Sequence, residues 1–161
     1  MNPDIWRFIY DHLAAEERVI LMTVIEVKGS SPGRVGFKMG VAENGDIAGS
    51  IGGGVMEYNM VEKARRMLHD KHRGILIKRE VHVPDAPEDR SGLICSGEQT
   101  QAFIPLSLDD LTLISHILEC LNNGNRGIFK LTPEGLSFEQ QEKCDDNIRV
   151  IFKNQGDWEY Y

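Results

Sequence analysis

Apolar positions change their spacing several times along the chain, and each change marks an element. Ile5, Phe8, Ile9, His12 and Leu13 recur at helical intervals behind Asn2-Pro3-Asp4. Asparagine caps, proline suits the first turn and aspartate favours the positive end, so a helix is predicted there. Residues 19–27 are predominantly apolar and β-branched over about nine positions, the pattern of a buried strand. Residues 37–42 and 46–50 flank Asn44-Gly45, a hairpin signal in which both turn positions call for positive φ. Helical spacing returns over 54–70, with Val61, Ala64, Met67 and Leu68 inward and Glu62 and Arg66 as an i,i+4 pair.

Two further strands are predicted over 75–83 and 99–106, separated by a loop rich in proline, aspartate and glycine. Ser107 with Asp110 makes a capping box for a third helix, which carries Leu111, Ile114, Ile117, Leu118 and Leu121 and stops at Asn123-Gly124. Residues 128–131 and 136–138 form a short hairpin, and 148–153 is a last strand candidate. Runs of strands broken by about three helices predict an α+β (mixed α/β) fold with a mixed β-sheet, not a doubly wound one. The 161 residues suit one domain, and neither repeats nor low-complexity tracts divide them.

Composition narrows the function classes. A hydrophobic share of 41% and a charged share of 27% are those of a globular protein. The net charge of −7 disfavours nonspecific nucleic-acid binding, which needs a basic face. No apolar run is long enough to span a membrane. Three cysteines without a Cys-x-x-Cys pair make neither a disulfide framework nor a zinc ribbon. With no basic-then-apolar leader, a cytoplasmic location is expected.

Nine of the 16 glycines fall between positions 29 and 54, and candidate chemistry gathers there. Residues 27–42 hold Lys28, Arg34 and Lys38 and no acid, with Ser30, Ser31 and glycine N–H groups as donors. Such a loop suits an anion, above all a phosphate; the alternative is a surface turn whose charges face water. Gly52, Gly53 and Gly54 then stand between a strand and a helix, followed by Glu57. Three glycines allow close backbone approach of a ligand to a helix N-terminus. No Gly-Lys-Ser/Thr follows, and the third glycine of GxGxxG falls on Glu57, so neither nucleotide motif is present. The plain alternative is a tight turn with Glu57 offsetting the helix dipole.

Cys95 lies in a third glycine-rich segment with Gly92, Ser96 and Gly97. An open thiol can be a nucleophile, a persulfide carrier or a soft-metal ligand, whereas a lone cysteine is commonly a small buried hydrophobe. Cys120 falls on the side of the third helix and Cys144 in a polar run; neither reads as catalytic. His69 and His72 read as a solvated helix end and His12 as a packed side chain.

Together the three segments resemble the N-terminal domain of the XdhC/CoxI family, accessory proteins of molybdenum hydroxylases such as xanthine dehydrogenase. The matching residues are Gly29-Ser30-Ser31-Pro32 with Arg34 and Gly36, the run from Gly49 through Gly54 with Glu57, and Gly92-Leu93 with Cys95. The resemblance implies binding of molybdopterin cofactor and its delivery, sulfurated by a cysteine desulfurase, to the apo-hydroxylase. In that reading the cofactor's phosphate sits on Gly52, Gly53 and Gly54 and on the basic loop. Arg34 and Lys38 neutralise it, Ser30 and Ser31 donate, and Cys95 stands near molybdenum or its sulfido ligand.

Val55 and Ser96 occupy positions where family members commonly carry cysteine and glycine, so a two-cysteine arrangement is not open to this chain. Long members continue into a Rossmann-like domain; here residues 156–161 resemble the junction before it, and the resemblance leaves two readings, a naturally short member or a Rossmann-like domain carried on a separate chain. Trp158, Tyr160 and Tyr161 call for cover, and a homodimer is expected. The role expected is that of a binding protein without turnover of its own. The alternatives are a thiol-dependent sulfurtransferase using Cys95 and a non-catalytic interaction subunit.

Overall fold

The computed structural model describes residues 3–81, 97–132 and 135–141. The first helical pattern forms α1 (Pro3–Ala14), which buries Ile5, Trp6, Ile9 and Leu13. The β-branched run forms β1 (Val19–Gly29), the centre of a five-stranded sheet. Its partners are β2 (Lys38–Ala42), β3 (Ile47–Gly49), β4 (Leu76–Val81) and β5 (Gly97–Leu106), in the order β3-β2-β1-β5-β4. Every ladder between them is antiparallel. Between β3 and β4 runs α2 (Gly54–His69); α3 (Leu111–Asn122) follows β5. A separate hairpin is formed by β6 (Arg126–Thr132) and β7 (Gly135–Gln141), and the described residues, with three α-helices among them, make an α+β fold.

Strand alternation sorts the core into two layers. On one face Val19, Leu21 and Ile25 of β1 pack with Ala102 and Ile104 of β5 against α1 and α3, and the β6–β7 hairpin adds Phe129, Leu131 and Phe138. On the other, Ile20, Met22 and Val24 pack with Met39, Val41 and Phe103 against Met56, Met60, Ala64 and Met67 of α2. Burial on both faces is why β1 reads over residues 19–25 as a near-continuous apolar run and not an alternating one. A register shift between Val24 and Glu26 inserts one residue opposite β5, so side-chain parity changes and Val27 joins the α2 face. Beyond the bulge β1 runs on to Gly29, opposite Gly97.

Two local expectations are corrected. Of the two turn residues Asn44 and Gly45 in the β2–β3 hairpin, only Gly45 takes positive φ, at 96°. Its N–H bonds the Ala42 carbonyl at 3.0 Å and Ala42 N–H bonds Asp46 at 2.9 Å, a three-residue loop with glycine in the left-handed position, not a two-residue one. On α2, Glu62 pairs with Arg65 at 2.7 Å, and Arg66 instead donates through Nε to the Glu62 carbonyl at 3.3 Å. The Ser107 N–H does bond Asp110 Oδ2 at 2.9 Å, but this closes a 3-10 turn over Leu108–Asp110 that leads into α3. The Asn2 cap, the loop before Gly97 and the strand expected over 148–153 lie outside the described residues.

Candidate functional site

An antiparallel sheet places the end of one strand beside the start of the next. The basic loop leaves β1 at Gly29 and enters β2 at Lys38, and the triple-glycine loop leaves β3 at Gly49. The segment carrying Cys95 enters β5 at Gly97, opposite Gly29. All three motif segments therefore meet the sheet at the same end. Cys95, Gly92, Leu93 and Ser96 themselves lie outside the described residues, as do Cys144, His82, Trp158, Tyr160 and Tyr161.

The two described loops pack directly on each other. A Cβ on Gly52 would stand 2.8 Å from the Gly33 nitrogen and 3.2 Å from its Cα. A Cβ on Gly33 would strike the Gln99 side-chain oxygen and the Ile51 carbonyl, and one on Gly97 would strike the Ser30 backbone. Gly52, Gly53 and Gly54 all take positive φ, at 137°, 80° and 74°. That left-handed run is open to glycine alone without strain. Among the described residues the Cβ direction of Gly53 meets nothing within 4 Å, so with respect to them the loop presents bare backbone on that side.

Glu57 closes the turn from within. Its Oε2 accepts from the Ser50 hydroxyl at 2.6 Å, from Gly53 N–H at 2.9 Å and from Ile51 N–H at 3.1 Å, while Gly52 N–H bonds Ser50 Oγ at 3.2 Å. A carboxylate on donors at a helix N-terminus is favourable both as acceptor and against the dipole. Part of the donor set expected for a phosphate is thus held by the chain's own anion.

The cations separate. Arg34 is exposed and its guanidinium has no hydrogen bond or ion pair among the described residues. Lys28 pairs with Glu26 at 3.2 Å. Lys38 points to the opposite face of the sheet: its Nζ donates to the Gly36 carbonyl at 2.9 Å and lies 5.9 Å from the Phe129 ring centroid. Its neighbour Met39 packs on the α2 side and Gly40 abuts Phe8 of α1, as strand alternation requires. Burial holds the Lys38 amine below the ordinary lysine range. Ser30 is exposed, and Ser31 is turned inward onto Gln99.

Gln99 is the residue that motif reading missed. It is fully buried and bonds both loops: Ser31 Oγ and Gly33 N–H donate to its oxygen at 2.6 and 3.2 Å, and its nitrogen donates to Ile51 O at 2.9 Å. The available signal was two glutamines, 99 and 101, sharing strand parity with Phe103. Elsewhere, His12 is packed on Phe8 with Nδ1 2.6 Å from Glu17, and the exposed His69 bonds Asp70 at 3.0 Å. Among the described residues no group of three or more His, Cys, Asp or Glu could hold a metal ion, and no helix is long and apolar enough to cross a membrane.

These features define a small α+β domain that presents two interlocked glycine-rich loops and an exposed arginine at one end of its sheet. Residues 12–78, which include both loops, match the model of the XdhC and CoxI family, as the motif resemblance implies. The fold is shared with a solved structure described as a xanthine dehydrogenase from Bacillus halodurans: TM-score 0.61, 22% identity, 86% of this chain and 42% of that one. The chain thus spans less than half the length of that structure. No curated protein matches the chain.

Proposed function

We propose that this chain is an accessory protein of a molybdenum hydroxylase of the xanthine dehydrogenase type, binding molybdopterin cofactor at the paired loops and passing it on. The observation that carries the reading is the family match over residues 12–78, which takes in both loops that pack together at the sheet end. The described name of the structural neighbour agrees with it. The hydroxylation chemistry belongs to the cofactor in the recipient enzyme; here the chain's task is to hold and orient.

The residues fit an anionic group in part. Arg34, Ser30 and the exposed backbone at Gly54 would hold it, while Gly53, its N–H taken by Glu57, leaves the approach open. Gly52 and Ser31 serve by packing, Glu57 shapes the turn, and Lys38 lies too far round the sheet to be counted. Cys95, two residues before Gly97 in the chain, is the thiol proposed to meet molybdenum or its sulfido ligand. A cysteine desulfurase as sulfur source, a second copy of this chain and a cytoplasmic setting belong to the same proposal.

Anaerobic titration with molybdopterin cofactor tests it. Saturable binding is expected, weakened in Gly53→Val, where a side chain fills the open approach at φ 80° and ψ −176°, a region kept almost wholly for glycine, at a strain of roughly 1–3 kcal/mol. Folded wild-type protein that binds no cofactor would end the proposal. A gain of one sulfur atom on Cys95 after incubation with a desulfurase and cysteine would favour the sulfurtransferase reading instead.

A further inference from the structure

Gln99 belongs to none of the glycine motifs, yet one side chain bonds both loops in opposite senses: it accepts from the basic loop and donates to the triple-glycine loop. Behind it, the buried Gln101 amide is satisfied at both ends when its oxygen accepts from Gln99 Nε2 at 3.0 Å and its nitrogen donates to the Lys78 carbonyl at 3.0 Å. This ladder ties the loops to the edge strand β4. A buried polar network with every member paired holds one geometry, and one with a member unpaired is costly.

We propose that Gln99 is a positioning residue, fixing the basic loop against the triple-glycine loop and so setting the surface on which the cofactor would bind. The inference rests on the function proposed above for its ligand, but loop docking is measurable without one.

The position requires an acceptor and a donor on one planar group. Gln99→Glu supplies both only when protonated, its O–H donating to the Ile51 carbonyl while the other oxygen accepts. Once ionised, it turns a carboxylate oxygen on the Ile51 and Gln101 oxygens. Burial favours the neutral acid, so loop docking should hold near about pH 5 and be lost by about pH 8. Gly33→Ala, whose Cβ would strike the same Gln99 oxygen, should part the loops at both pH values.

The experiment is amide hydrogen exchange at position 33, corrected for the intrinsic pH dependence of exchange, with the β1–β5 ladder amides as reference. Protection at position 33 in Gln99→Glu should fall about tenfold at the higher pH and return at the lower, with the ladder unchanged. Cofactor affinity, taken relative to wild type at the same pH, should weaken and recover in step. Unchanged protection at position 33, or its loss together with the ladder, would overturn the proposal. So would loops that part while affinity stays constant. Wild-type protein that binds no cofactor while the exchange pattern holds would retire the function and leave the positioning role standing.

Discussion

Gly52 meets Gly33 with no room for a side chain between them, its Cβ position lying 2.8 Å from the Gly33 nitrogen. The contact joins two loops that the sequence separates by a whole hairpin, and it makes their shape interdependent. Gly52→Ala should therefore act on both: the added methyl crowds backbone that cannot swing away, at a φ of 137°. A loss of about 1–3 kcal/mol in urea unfolding is expected, with the amides of residues 33 and 34 shifting in the NMR spectrum. An unshifted residue 33 would mean that the loops are not in contact in solution.

Glu57 holds three donors on one oxygen. Glu57→Ala leaves Ile51 and Gly53 N–H groups unsatisfied at the start of α2 and should cost about 1–3 kcal/mol. Glu57→Gln keeps an acceptor oxygen and should recover part of that loss. Equal melting temperatures for the alanine variant and wild type would show that water serves those donors as well.

Arg34 is an exposed cation of the basic loop whose guanidinium has no ion pair among the described residues. Arg34→Glu turns an attraction into a repulsion and should weaken cofactor binding about tenfold. The dependence of affinity on salt should flatten with it. Titrations at two ionic strengths decide; parallel salt slopes for variant and wild type would remove Arg34 from the site.

Lys38 titrates below its ordinary range because it is buried. Below the folded pKa both states carry the proton, and the fold bears the cost of burying a cation. As pH rises through that value toward about 10.4, the unfolded chain binds more protons and stability rises. Lys38→Met should abolish this rise and be the more stable protein at neutral pH. Unfolding midpoints across the alkaline range would show it, and equal slopes for the two proteins would refute it.

Cys120 is buried at 3% exposure on α3, with its thiol 3.5 Å from the Arg126 carbonyl. Cys120→Ser keeps a donor for that carbonyl and so should lower stability by only about 1 kcal/mol, leaving cofactor handling alone. Cys95→Ser should do the reverse, sparing stability and impairing retention or transfer, because serine keeps the size and removes the soft sulfur. A lowered melting temperature with intact transfer in Cys95→Ser would make that thiol structural.

The sequence by itself determined what depends on near neighbours. Helical spacing at Ile5, Phe8 and Ile9, the predominantly apolar run over 19–27 and the glycines at 45 and 52–54 each report a local backbone requirement, and each element formed where that requirement stands. The motif order also sufficed for the family likeness. Tertiary structure alone decided which face each side chain serves. Lys38 shares a basic loop with Arg34, but one residue of strand alternation sends it to Phe129 on the far side of the sheet. Glu57 was visible as an acid at a helix start, whereas its hold on Ser50, Ile51 and Gly53 depends on how the turn closes. Gln99 looked like a polar residue at a strand end; it became the link between the loops only because β5 pairs with β1 and brings residues 31, 33 and 51 around it. The partners of Gln99, and Phe129 beside Lys38, lie tens of residues away in the chain, and periodicity carries no information at that range.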